Sequence, residues 1–246
     1  MSGKKIALVT GANKGIGFES CRQLAGLGMK VLLGARNEQR GAAAAAELQQ
    51  EGLDVRPVRL DVTRSEDIEA VRTLIDQEFG RLDVLVNNAG MAHRDEPLFT
   101  NSTATVSRQA LRETFDTNFF GLVELTQALL PLIRKSAAGR IVNVSSMLGS
   151  LGLHSDPNAG LAGIKPFAYD VSKTAVNGFT VHLAALLAGT PVKVNSAHPG
   201  WVKTELGGAE APMEIVDGAR TSVALATLPA EGPSGGFFHM GETMPW

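Results

Sequence analysis

Apolar residues fall along this chain in two alternating rhythms. Short β-branched or leucine-rich runs, several of them apolar on successive positions, occupy 5–10, 31–33, 55–60, 84–87, 140–144 and 192–197. Apolarity that continuous over so few residues predicts strands covered on both faces. Longer stretches with helical spacing lie between them, at 16–27, 38–51, 66–79, 111–134, 167–188 and 213–228. The run Ala42–Ala46 is low in complexity, but alanine is the best helix former, so a plain helix accounts for it. Cap-like residues at 61–63 and 64–67 precede the third helix. A short final strand is expected near 236–239. Strands alternating with helices predict an α/β fold with a parallel sheet. Right-handed crossovers make it doubly wound, with helices on both faces. With no repeat and no linker, residues 1–246 read as one domain. Segments 147–166 and 207–212 break the rhythm and are rich in Gly, Ser, Pro or Asn; functional loops and surface decoration are the two readings.

Composition narrows the class. The 23 basic and 25 acidic residues leave a net charge of −2 with no block of either sign, which argues against nucleic acid or an anionic membrane as partner. One cysteine excludes an internal disulfide. No apolar stretch approaches the roughly 20 residues that span a bilayer. Residues 1–10 run into strand-like sequence without a leader's apolar stretch and cleavage site. The expectation is a soluble cytoplasmic protein. No His, Cys or carboxylate pair has ligand spacing, so no metal is expected.

The first strand runs into Thr10-Gly11-Ala12-Asn13-Lys14-Gly15-Ile16-Gly17 and at once into a helix. Glycines there allow a tight turn and close backbone approach to a pyrophosphate, which the helix N-terminus attracts through its free N–H groups and dipole. The spacing is G-x-x-x-G-x-G rather than the general G-x-G-x-x-G. An enzyme using NAD places an acid near the end of the second strand, for the ribose 2′-hydroxyl. This chain reads Gly34-Ala35-Arg36, and an arginine there suits a 2′-phosphate. Lys14 supplies a second positive charge. NADPH/NADP+ is therefore the expected cofactor; solvated surface bases are the alternative for both residues.

Tyr169 and Lys173 stand four apart at the start of a predicted helix, on one helical face. A free phenol has a pKa near 10, and a nearby ammonium lowers it towards the range useful for general acid–base catalysis. Tyr169 is the only tyrosine. By chance alone, Y-x-x-x-K is common.

With Asn87-Asn88-Ala89-Gly90 after the fourth strand, the order of motifs from Thr10 to beyond Pro199 resembles the short-chain dehydrogenase/reductase family. The resemblance implies a Rossmann fold and a set of roles. Tyr169 donates a proton to a carbonyl oxygen, Ser146 hydrogen-bonds that oxygen, Lys173 tunes the phenol and binds ribose, and Asn118 holds a water. Spacing alone leaves Ser145 and Ser146 both open; family registration favours Ser146. Gly11, Asn13, Lys14, Gly15, Ile16, Gly17 and Arg36 would hold phosphates. Asp61 and Val62 would meet adenine, although Asp61 is also a natural cap. Asn87, Ala89 and Gly90 would line the cofactor, and Pro199, Gly200, Val202 and Thr204 would meet the nicotinamide amide.

Three stretches, 11–17, 199–204 and 228–238, resemble the carbonyl-reductase subgroup. This implies reduction of a small aldehyde, ketone or quinone, with Trp201 as an apolar wall beside Ser146 and Tyr169. Alcohol oxidation, imine reduction on the same residues and a non-catalytic NADPH sensor are the alternatives. Ser146 and Tyr169 are 23 positions apart, an insertion shorter than in animal carbonyl reductases, where it blocks association. A monomer is preferred over a homo-oligomer. His93 and His154 are read as surface residues or pocket flanks, and His182 as structural. Selectivity is expected from 91–107, 147–166 and 207–215.

Overall fold

The computed structural model describes residues 4–97 and 99–246; residues 1–3 of the segment read for a leader, and residue 98 of the 91–107 loop, lie outside them. Strands β1 (Ile6–Val9), β2 (Lys30–Ala35), β3 (Val55–Arg59), β4 (Val84–Asn87), β5 (Arg140–Val144), β6 (Lys193–Ala197), β7 (Phe237–His239) and β8 (Glu242–Thr243) form one sheet in the order β3-β2-β1-β4-β5-β6-β7-β8. All neighbouring pairs are parallel except β7 with β8. Helices α1 (Gly15–Gly26), α2 (Glu38–Gln50), α3 (Ser65–Phe79), α4 (Arg108–Phe115), α5 (Gly121–Ile133), α6 (Leu151–Ser155), α7 (Phe167–Leu186) and α8 (Ile215–Ala226) fill the connections. The chain thus has the expected doubly wound, Rossmann-like α/β fold.

Alternation along the strands builds two cores. Ala7 and Val9 of β1, Leu33 of β2 and Val142 of β5 point to one face, where Leu24 of α1, Leu48 of α2 and Val223 of α8 cover them. Ile6, Leu8, Leu32 and Ile141 point to the other, under Ile75 of α3, Leu129 of α5 and Leu183 of α7. A two-residue period along strands buried on both faces produces this division.

Three expectations need correction. The helix read over 111–134 is α4, a π-helical turn at Asp116–Phe120, and α5. In that turn Gly121 N donates to Asp116 O, five residues back. Helix α3 has Arg64 at its N-cap, with no side-chain cap; the Asp61 carboxylate instead closes the turn before it, accepting from Thr63 N (3.0 Å) and Thr63 Oγ1 (2.7 Å). The segment 147–166 is not wholly irregular, since it holds a 3₁₀ turn at Met147–Gly149 and α6.

Strand order reverses between β1 and its two neighbours β2 and β4. A crevice outside the carboxyl ends of the strands opens at such a switch point. The connections carrying residues 10–17, 88–91, 145–149 and 198–204 leave those ends.

Candidate active site

The glycine turn is pinned to β4 by side chains. Thr10 Oγ1 accepts from Asn88 N (3.0 Å) and Ala89 N (2.8 Å), and Asn88 Nδ2 donates to Thr10 O (2.8 Å) and Gly11 O (3.2 Å). Gly11 has φ +62°. A Cβ on Gly17 would stand 2.7 Å from Gly11 O and 2.9 Å from Ala12 Cα, so only glycine lets α1 start this close to the turn. No side chain caps α1, which leaves its first amides for an anion. Asn13 lies in this turn, and Ile16 is the second residue of α1.

Arg36 is exposed at the end of β2 and has no ion pair among the described residues. Lys14 is paired with Glu205. The Glu205 carboxyl is held below its usual value first by its hydrogen bond to Lys14 and then by the charges of Lys14 and Arg40. Arg40 escaped the sequence reading, although it lies one turn into the helix after Arg36.

Asn87 does not line the crevice through its side chain. Its Nδ2 donates inside the sheet to Thr126 Oγ1 and Asn143 Oδ1, both at 2.9 Å. Asn88, which sequence reasoning passed over, makes the contacts to the loop. Val62 is buried, and its carbonyl leaves no room for a Cβ on Gly121. That contact seats α5 on the Asp61–Val62 turn.

The residues that the sequence marks as candidates for catalysis gather at the amino end of α7. Tyr169 and Ser146 are both buried there, and the Ser146 hydroxyl accepts from Leu148 N (3.2 Å). Ser145 turns inward: it is fully buried, with its hydroxyl 3.4 Å from Lys173 O. Lys173 Nζ donates to Val144 O (2.8 Å) and lies 5.7 Å from the Tyr169 ring centroid. Gly90 faces the same space, since a Cβ there would be 3.3 Å from Lys173 Nζ and 3.5 Å from Asn118 Oδ1. Asn118, inside the π turn, donates to Met91 O (2.8 Å) and Ser172 Oγ (2.9 Å) and accepts from Met91 N (2.8 Å).

Burial decides the ionisation here. It pushes the Tyr169 phenol up to about 12; the neighbouring Ser146 hydroxyl draws it down and the Asp170 charge adds to the rise. Burial also pushes the Lys173 amine down to about 8. The lysine is charged at neutral pH but loses its proton well before the phenol does, so no ammonium remains over the range in which the phenol titrates. The expected lowering of the tyrosine by Lys173 is thus corrected for the chain by itself: desolvation outweighs attraction.

Behind Tyr169, burial first, and then the charge of Glu96, raise the Asp170 carboxyl to about 8 against the pull of Lys165. Its Oδ2 lies 3.2 Å from His154 Nε2. His198 Nδ1 accepts from Met147 N (3.2 Å), and burial pushes the ring down to about 3, which keeps it neutral. His93 is neither a surface residue nor a free pocket flank: it is buried, 3.3 Å from Glu113. His182 lies exposed on α7.

At the mouth, Pro199 and Gly200 lead into Trp201. The Trp201 indole N–H donates to Gly207 O (2.7 Å), and its ring meets Phe99 edge-on at 5.9 Å. Val202 is buried, while Thr204 Oγ1 accepts from Gly207 N (3.1 Å). Phe99 belongs to the 91–107 loop and was not singled out by sequence. Among the described residues, no three His, Cys, Asp or Glu side chains gather as a metal site, and no helix is long and apolar enough to cross a membrane.

A family model described as short chain dehydrogenase matches residues 5–214. The chain belongs to the short-chain dehydrogenase family. Among its curated relatives in that family is mouse carbonyl reductase [NADPH] 1, 36% identical over 289 aligned positions covering 100% of this chain and 99% of the relative. The (-)-isopiperitenone reductase of Mentha piperita is 34% identical, with 96% of each covered. Among solved short-chain dehydrogenase structures, NADPH-bound carbonyl reductase from chicken fatty liver superposes with a TM-score of 0.85 at 27% identity, covering 99% of each chain.

Proposed function

We propose that this short-chain dehydrogenase reduces the carbonyl group of a small molecule with NADPH, and that Tyr169 is its proton donor. The observation that carries the proposal is the buried pair of Tyr169 and Ser146 at the amino end of α7, with Lys173 beside it and the glycine turn across the crevice. Relatives named as NADPH carbonyl reductases support the same chemistry.

The residues fit such a cofactor. Gly11 and Gly17 make a cradle that a Cβ would fill, the amides opening α1 suit a pyrophosphate, and Arg36 suits a 2′-phosphate. When bound, the cofactor supplies the hydride and, once oxidised, a positive ring. The Tyr169 hydroxyl holds the proton that the carbonyl oxygen receives. Ser146 aims a second hydroxyl at that oxygen, stabilising charge where it develops. Lys173 supplies charge to phenol and ribose. Asn118 fixes the Met91 backbone and Ser172, and so holds the floor of the site. Asp61 and Val62 form the adenine end, Ala89 and Gly90 the wall under the ribose, and Pro199, Gly200, Val202 and Thr204 the nicotinamide end. Trp201 forms the apolar wall against which the substrate rests.

The test is consumption of NADPH against a panel of aldehydes, ketones and quinones. Turnover of at least one carbonyl, with NADPH preferred over NADH, is the expected result; no turnover of any would overturn the proposal. Arg36→Asp should raise the KM for NADPH by about tenfold or more, since hydrogen bonds to charged groups are worth about 1.5–3 kcal/mol. It should leave NADH little changed. Equal effects on both cofactors would remove Arg36 from the phosphate site.

A further inference from the structure

Helix α7 begins where its own sequence cannot cap it. The N-cap is Pro166, without a side-chain acceptor, and the next two amides must find partners elsewhere. They find them more than sixty residues back. Ser102 Oγ accepts from Phe167 N (2.8 Å), and both oxygens of Glu96 accept from Ala168 N (3.2 and 3.1 Å). Ser102 Oγ in turn donates to Glu96 Oε1 (2.5 Å). The two segments are zipped by Ser102 N to Lys165 O (3.1 Å) and Lys165 N to Thr100 O (3.0 Å).

Glu96 is buried, and a buried carboxylate is costly unless compensated. Among the described residues it has no ion pair; its compensation is an amide, a hydroxyl and the positive end of α7. The amide it grips belongs to Ala168, the residue immediately before Tyr169.

We propose that Glu96 is a positioning residue for Tyr169, a cap supplied from the β4–α4 connection that fixes the first turn of α7 and so the phenol and, one turn on, Lys173. The proposal rests on the reading of Tyr169 given above. The same connection carries Phe99, three residues on, against Trp201 at the mouth. The cap thereby ties the loop facing the crevice to the helix that bears the reactive group.

The test compares Glu96→Ala, Glu96→Gln and Ser102→Ala with the parent. It reads kcat and KM for an accepted carbonyl, NADPH affinity by fluorescence, and amide exchange at Ala168. Glu96→Ala should lower kcat by about 10- to 100-fold, the scale of a misplacement near 1 Å. KM and NADPH affinity should change by less than about threefold, and Ala168 exchange should accelerate. Glu96→Gln keeps an acceptor for Ala168 and should recover kcat to within about fivefold of the parent. Parental kcat in a folded Glu96→Ala overturns the proposal, as does a Glu96→Gln no better than Glu96→Ala. If Glu96→Ala does not fold, Ser102→Ala decides: a lowered kcat with intact NADPH affinity supports the cap, and an unchanged kcat overturns it. Failure of the Tyr169 reading has its own signature, because Tyr169→Phe would then keep its turnover while Ala168 exchange still reported the cap.

Discussion

Tyr169→Phe is expected to lower kcat by about 10²- to 10⁴-fold, the usual worth of a positioned general acid. The substitution keeps the buried ring and deletes only the hydroxyl. The helix and the packing around it should stand. No second phenol can replace it, because the chain has one tyrosine. NADPH affinity should change little, since the turn proposed to hold the pyrophosphate lies between β1 and α1. Steady-state kinetics together with a cofactor titration check both halves. A non-catalytic NADPH-binding sensor would lose nothing on this substitution.

The second large effect separates two adjacent serines. Ser146→Ala removes the hydroxyl beside the Tyr169 phenol and should cost about 10²- to 10³-fold in kcat, as loss of one preorganised donor does. Without that hydroxyl the phenol should be driven still further up, because the neighbour that draws it down has gone. Ser145→Ala loses only a long contact to Lys173 O. It should keep kcat within a few-fold and cost about 0.5–1.5 kcal/mol of stability at most. Kinetics and urea unfolding of the two variants side by side check the contrast. If Ser145→Ala were the inactive one, the assignment would be reversed.

Strands at 84–87 and 140–144 were legible to the residue because both their faces are buried and every position is apolar or engaged. The break in the helix over 111–134 was not. Asp116-Thr117-Asn118 is polar, but the π turn that sets Asn118 against Met91 and Ser172 adds one residue without changing the apolar spacing on either side. Strand β8 is two exposed residues paired by a turn and carries no periodic signal. At the site, Tyr169, Lys173 and Gly17 announce themselves by local spacing. Asn88 does not, since its neighbour Asn87 reads identically and only the pleat decides which amide enters the sheet. Glu96 is invisible for a different reason: its partner is 72 residues away, in a stretch that reads as a polar loop. The ionisation of Tyr169 was misjudged because spacing shows the ammonium and not the burial that outweighs it.

The central claim is that a desolvated phenol faces the nicotinamide end of the crevice. Absorbance titration of the sole tyrosine, with and without oxidised cofactor, tests it most directly. The chain alone should resist ionisation beyond the ordinary phenol value of about 10, in keeping with a phenol pushed up to about 12. Bound NADP+ should then bring the midpoint down, because a positive ring favours phenolate. An ordinary midpoint that ignores the cofactor would place the ring outside the crevice and contradict the mechanism.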